Sequence, residues 1–244
     1  MTVSKKDIDA WDAEYEHLKW GGLSETLWIL NRLKEGNFLL DAGSGEGRYL
    51  REFCFKFPCV GIDISKNALI RSAESIAAAA EKKGKTVAKT TAGEKKSIAK
   101  AESAFSFPEH ILSNTAALPF SNSVFDGILC LGVLQHLISK DREKTAAEFH
   151  RVLKDGGLVF FEAFGEKDMR CLGEPAVLTN GEAEPRTFKR QNGIIYHYFE
   201  ESEVKALFEK NGFQTVEFKS IQKEKKYNGE TYTRHHYRAV FEKS

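Results

Sequence analysis

The residues of this chain best placed to do chemistry begin at Asp41. The run Leu39-Leu40-Asp41-Ala42-Gly43-Ser44-Gly45-Glu46-Gly47 ends a short apolar stretch in a carboxylate and follows it with three alternating glycines. That is the layout of a strand, a tight turn and a helix N-terminus. Glycine there tolerates an unusual φ and lets a ligand come close to the backbone. A second apolar run, Val60-Gly61-Ile62-Asp63-Ile64, ends in Asp63, 20 residues after Gly43. An acid at that distance commonly takes ribose hydroxyls at the end of a second strand. Further along, His136 is either a general base towards a hydroxyl or amine or a plain helix-surface histidine.

The ligand must suit Asp41. In a dinucleotide fingerprint a pyrophosphate sits on the helix N-terminus. Here the third glycine falls one residue early, and Arg48 stands in its place. A buried carboxylate would also repel a pyrophosphate. A ligand with a positive end fits better. S-adenosylmethionine (SAM) has an α-ammonium and a sulfonium and no phosphate. On this reading Asp41 holds the ammonium, directly or through water. Gly43, Ser44 and Gly45 then lie against the ribose and methionine part. NAD, or a tight βα turn with no ligand, stays open as the alternative.

These residues resemble motif I and the following acidic motif of the class I SAM-dependent methyltransferases. Asn114-Thr115-Ala116-Ala117-Leu118-Pro119-Phe120, continuing to Phe125-Asp126, is similar to the family's third segment. Arg151-Val152-Leu153-Lys154-Asp155-Gly156-Gly157 is similar to its Arg-x-Leu-Lys-Pro-Gly-Gly turn. The resemblance, including that to the small-molecule "type 11" domain, extends to about residue 165. It implies a doubly wound α/β fold with a seven-stranded, mostly parallel sheet and a C-terminal antiparallel hairpin. It implies SAM as cofactor, S-adenosylhomocysteine as product, no metal, and direct in-line displacement. Tyr15, in a segment similar to the family's Phe-Asp-x-x-Ala-x-x-Tyr, is expected over the methionine moiety. A plain core contact with Trp11, at i and i+4, is the other reading of Tyr15. Asn114 and Thr115 are expected to meet the adenine. Ile64 and Leu131 complete the expected cofactor set.

The same comparison narrows the acceptor. The Pro-Pro motif of exocyclic-amine methyltransferases is absent after the fourth strand. Cys130 lies between Leu129 and Leu131 and reads as a buried hydrophobe rather than a nucleophile. A small-molecule acceptor is the leading reading. A tRNA base is the alternative, because 141–157 and Gly47-Arg48-Tyr49-Leu50 also look similar to wobble-uridine methyltransferases. A SAM-binding protein without catalysis is the third reading.

The elements that must position these residues follow from pattern. With 244 residues and 41% hydrophobic content, one domain over 1–244 is expected. A helical cap occupies 1–35, an Ala/Lys-rich insertion 75–110, and a substrate lid 165–199. Within the lid, Arg170, Tyr196 and Tyr198 would suit an acidic or aromatic acceptor. A net charge of +1 carries no global pull towards nucleic acid or membrane. No apolar run approaches the length of a membrane span, and no apolar leader opens the chain. Four cysteines without a Cys-x-x-Cys pair read as reduced thiols, so a cytoplasmic protein, monomer or homodimer, is expected.

Strands are expected at 38–41, 60–64, 111–113, 124–131 and 158–161. The helix after the glycine turn should present Tyr49, Leu50, Phe53 and Phe57. Ser65 should cap the next helix. The helix over 141–153 should bury Ala147, Phe149, Val152 and Leu153, and that over 200–210 Val204, Leu207 and Phe208. Tyr227-Asn228-Gly229-Glu230 signals a hairpin between two closing strands.

Overall fold

The computed structural model describes residues 4–17, 25–83, 107–172 and 183–244. Helix α1 (Lys5–His17) and the single turn α2 (Leu27–Leu30) precede strand β1 (Leu39–Ala42). The short α3 (Leu50–Phe53) leads to β2 (Cys59–Asp63), α4 (Lys66–Lys82) and β3 (Glu109–Leu112). Next come β4 (Phe125–Leu131), a 3-10 turn at Leu134–His136, α5 (Ser139–Val152) and β5 (Leu153–Phe164). A small hairpin, β6 (Thr187–Lys189) and β7 (Ile195–His197), is followed by α6 (Glu201–Glu209). The long strands β8 (Phe213–Tyr227) and β9 (Glu230–Lys243) close the chain.

One seven-stranded sheet orders these strands β3-β2-β1-β4-β5-β9-β8. The pairings from β3 to β5 are parallel, and β9 runs antiparallel to both β5 and β8. The doubly wound sheet with a reversed C-terminal hairpin is therefore present. Its strand order turns back between β1 and β4, and an open α/β sheet binds ligands at the carboxyl ends of the strands at that point.

β1 and β2 are buried at every position, as parallel strands covered on both faces must be. Alternate side chains feed two cores. Leu39, Leu129 and Phe160 pack with Ile29, Leu50 and Phe53 on one side. Leu40, Ile128 and Phe161 pack with Phe149, Val204 and Phe208 on the other. Burying one such side chain contributes about 1.5–3 kcal/mol. Ser65 caps α4, its Oγ accepting the Ala68 N–H at 3.1 Å. The turn between β8 and β9 puts Asn228 at φ 50° and Gly229 at φ 81°, the paired positive φ of a tight hairpin.

Several expectations are corrected. The third strand is not the buried run 111–113. It is Glu109–Leu112 at the sheet edge, with Leu112 exposed, because an edge strand has a neighbour on one side only. The helix after the glycine turn is one turn long. Tyr49, Leu50 and Phe53 are buried, and Phe57, beyond the helix, is half-buried against the same core. In α5 the inward alanine is Ala146 and not Ala147. Residues 75–82 of the expected insertion are the last turns of α4, while 84–106 lie outside the described residues, as do 173–182 of the expected lid.

Candidate functional site

The site is built on the glycine turn. Gly43, Gly45 and Gly47 adopt φ of 73°, 53° and 73°, a region that side chains disfavour. A Cβ on Gly43 would lie 2.6 Å from Val133 Cγ2, and one on Gly45 2.5 Å from the Tyr15 hydroxyl. The turn is fastened to β2, since the Gly43 and Ser44 N–H groups both donate to the Ile62 carbonyl at 2.8 Å. Asp63 braces it further. Its Oδ2 accepts the Gly45 N–H and its Oδ1 the Ser65 N–H, each at 2.9 Å. Burial raises the Asp63 pKa to about 6.

Asp41 is not part of the cleft lining, which the direct form of its expected role requires. Its Oδ2 accepts the Leu50 N–H at 3.1 Å, and it lines neither lobe of the cleft. It closes the first turn of α3, a helix N-terminus that favours a carboxylate. Burial raises its pKa to about 7. The described geometry does not give it direct contact with a ligand in the cleft.

The cleft has two lobes that share Trp11, Tyr15, Gly43, Gly132 and His136. The first, about 400 Å³, is lined by Asp63, Ile64, Asn114 and Thr115. All four are residues the sequence assigned to the cofactor. Asn114 Oδ1 already accepts the Ala116 N–H at 3.0 Å, and the Thr115 hydroxyl bonds to that of Thr145 at 3.1 Å. The second lobe, about 500 Å³, is lined by Ser44, Gly45, Leu131, Phe164 and Arg170.

Two segments roof the cleft. In α1, Tyr15 lies against Gly45, and burial together with Asp63 and Glu46 holds its hydroxyl protonated. Asp12, which sequence reasoning passed over, ties α1 down. Its Oδ1 accepts from the Ser65 hydroxyl at 2.5 Å and the Asn67 N–H at 3.2 Å. The β6–β7 hairpin is the second roof. His136 Nδ1 donates to the Ile195 carbonyl at 2.8 Å, and its ring meets Trp11 and Tyr196 edge-on at 4.8 and 4.7 Å. Its Nε2 faces the Gln135 amide nitrogen at 3.3 Å. Burial pushes the His136 pKa down to about 4. The imidazole is thus neutral with both nitrogens engaged, a poor arrangement for a general base.

The expected substrate residues divide. Arg170 lines the larger lobe. Tyr196 packs parallel to Phe164, with centroids 6.3 Å apart, and is outside the cleft lining. Tyr198 is fully buried, and its hydroxyl accepts from Arg190 at 2.9 Å. Both tyrosines support the roof from behind. Residues that sequence reasoning missed fill the lobe instead: Glu162, Asp168, Arg234, His235 and His236. No local signal marks them, because their place is set by the pairing of two strands distant in sequence. β5 stops pairing at Phe164, opposite His236, so the start of a reversed last strand must overshoot into the ligand edge.

The residues fit SAM. The glycines leave room where a Cβ would collide. Asp63 is a buried carboxylate on the cleft wall whose ionised form a cationic ligand would stabilise. Ser44 Oγ, in the larger lobe, is buried without a hydrogen-bond partner among the described residues. No group of three metal-ligating side chains occurs among the described residues.

Comparison with known proteins agrees with this geometry. Residues 40–161, half of the chain, match the family model described as a methyltransferase domain. A protein of Methanocaldococcus jannaschii described as uncharacterized is 26% identical over 220 residues, covering 85% of this chain and 73% of its own. The fold is shared with a SAM-dependent methyltransferase of Methanosarcina mazei at a TM-score of 0.60 and 22% identity, covering 91% of this chain and 99% of that one. It is shared also with the 1,6-didemethyltoxoflavin-N1-methyltransferase of Burkholderia thailandensis, solved with its substrate and S-adenosylhomocysteine. There the TM-score is 0.55 at 16% identity, over 98% of this chain and 80% of that one. Sheet order, glycine turn and family match converge, and the chain belongs to the class I SAM-dependent methyltransferases.

Proposed function

We propose that the chain transfers a methyl group from SAM to a small-molecule acceptor. The observation that carries this reading is the two-lobed cleft itself. One lobe holds the residues assigned to the adenosine, and the other, joined to it at Gly43 and His136, leaves about 500 Å³ walled by charged and aromatic side chains. The roof of α1 and the β6–β7 hairpin favours an acceptor that fits inside. A tRNA base is the second reading. It is favoured by the exposed lysines Lys223, Lys225 and Lys226 on the β8–β9 ribbon, which extends past the ligand edge.

Asp63 would take the ribose hydroxyls, Gly43 to Gly45 would lie along the methionine part, and Asn114 and Thr115 would border the adenine. Bound SAM supplies a methyl group activated on a sulfonium, which an acceptor lone pair takes in line, leaving S-adenosylhomocysteine. The chain's own task is then to hold the acceptor and exclude water. Positioning of this kind supplies roughly 7–11 kcal/mol. His136, neutral and doubly engaged, shapes the junction of the lobes rather than moving a proton.

The test is calorimetric titration of the purified chain with SAM, S-adenosylhomocysteine and NAD, followed by a screen of acceptors for S-adenosylhomocysteine release. Micromolar binding of the first two supports the reading. Binding of NAD alone overturns it. Binding of SAM without turnover on any acceptor leaves a SAM-binding protein without catalysis.

A further inference from the structure

The end of the cleft away from Asp63 is organised around Asp168. Its carboxylate is 1% exposed. Oδ1 accepts from Arg170 Nε at 2.7 Å, and Oδ2 accepts from Arg234 Nε at 3.0 Å. The backbone N–H groups of Arg170 and His235 donate to the same carboxylate, each at 3.1 Å. Arg170 Nη2 reaches Oδ2 at 3.3 Å, and its guanidinium lies over the Phe164 ring at 4.1 Å. One buried carboxylate thus splints two guanidiniums, and all three groups line the larger lobe.

The charge does not balance locally. Two cations share one anion. Neither nearby acid pairs with these guanidiniums: Glu162 pairs with Arg238 at 3.1 Å, and Glu166 accepts the Tyr237 hydroxyl at 2.8 Å. Arg234 has no second ion-pair partner among the described residues, and its Nη groups make no hydrogen bond there. A guanidinium held at Nε with its Nη edge unspent is a fork, and forks match carboxylate and phosphate geometry.

We propose that Arg170 and Arg234 anchor the methyl acceptor, which is a small molecule bearing a carboxylate or phosphate beside a flat apolar part. Asp168 is the positioning residue that holds both guanidiniums, and Arg234 is the one whose Nη edge is wholly unspent among the described residues. Phe164 offers the flat face next to them. The inference rests on the methyl-transfer reading above and adds the chemical class of its acceptor.

The test uses the full chain loaded with S-adenosylhomocysteine. It is titrated with benzoate, with phenyl phosphate, and with benzamide as the uncharged control. The expected result is binding of at least one anion, with benzamide weaker by about tenfold or more. Which anion binds more tightly separates carboxylate from phosphate. Arg170→Gln and Arg234→Gln should each weaken that anion by about tenfold or more and leave S-adenosylhomocysteine affinity unchanged. Should a Gln variant fail to fold, Arg234→Lys keeps the charge without the fork, and a weaker anion with an unchanged melting temperature supports the proposal. Unchanged anion affinity in the folded variants overturns it. So does binding of S-adenosylhomocysteine with no binding of either anion, and that outcome leaves the methyl-transfer reading standing. Failure to bind S-adenosylhomocysteine overturns that earlier reading instead. Salt-sensitive binding of bulk tRNA, with neither anion bound, replaces the small acid by an RNA acceptor.

Discussion

Asp63 Oδ2 accepts the backbone N–H of Gly45 at 2.9 Å, so the carboxylate at the end of β2 and the glycine turn form one unit. Asp63→Ala removes the proposed ribose contact and a brace together. S-adenosylhomocysteine affinity should fall by about 1–3 kcal/mol, the scale of hydrogen bonds to a charged group. Asp63→Asn keeps one acceptor and should fall between. Calorimetry that found wild-type affinity in Asp63→Ala would remove the ribose role.

Gly45→Val should fold and lose the cofactor. The new side chain starts 2.5 Å from the Tyr15 hydroxyl and sits at φ 53°. Strain of about 1–3 kcal/mol should appear as a lower melting temperature with the circular dichroism spectrum retained. A folded variant that binds S-adenosylhomocysteine normally shows that the turn is not the cradle.

His136 makes a pH prediction with a definite sign. Its folded pKa is about 4, against an ordinary value near 6.5. Between these values the folded chain binds fewer protons than the unfolded one. The stabilisation is complete above the ordinary value and is lost as pH falls towards about 4. A shift of this size corresponds to about 3 kcal/mol. Urea denaturation of wild type and His136→Gln, at about pH 7.5 and about pH 4.5, should show wild type losing more on acidification by roughly that amount. An equal loss in both would mean that the imidazole charges freely.

Arg142 should prove costly to remove. It is buried, donates to the Leu137 carbonyl at 2.6 Å, and pairs with Glu184 and, at 3.4 Å, with Glu203. It joins the start of α5 to the segment before β6 and to α6. Arg142→Met leaves Glu184 buried without its cation, a loss of about 3–5 kcal/mol. Arg142→Met with Glu184→Gln should recover part of it. A urea midpoint unmoved by the single change would show the pair to be hydrated.

What was legible in the sequence was whatever depends on local chemistry. The glycines at 43, 45 and 47 declared their φ. Ser65 declared a cap, and Asn228-Gly229 a hairpin. Asp63 could be placed because strand length and turn length fix where a strand ends. Asp41 was read correctly as a strand-end acid, but its partner was not legible. Which amide a carboxylate reaches is decided by how the following helix starts, and α3 begins close enough to claim it. Tyr196 and Tyr198 share a face by alternation, yet only tertiary packing turns that face onto Phe164 and away from the cleft. Arg234 and His236 were invisible as site residues because their position depends on a long-range register. That register, His236 opposite Phe164, sets how far β9 overshoots.

The ribbon that carries Arg234 to the cleft has a further cost. β8 is the outermost strand of the sheet and is fifteen residues long, against a usual strand of about five or six. An edge of that length is a template on which another chain could add a strand. Its outer half reads Gln222-Lys223-Glu224-Lys225-Lys226, all exposed, and its inner half is broken by a bulge between Thr215 and Glu217. Like charges and a kink are what discourage a neighbour from docking along a border strand. The lysines that bound the ligand edge therefore also guard the protein against fibre-like stacking.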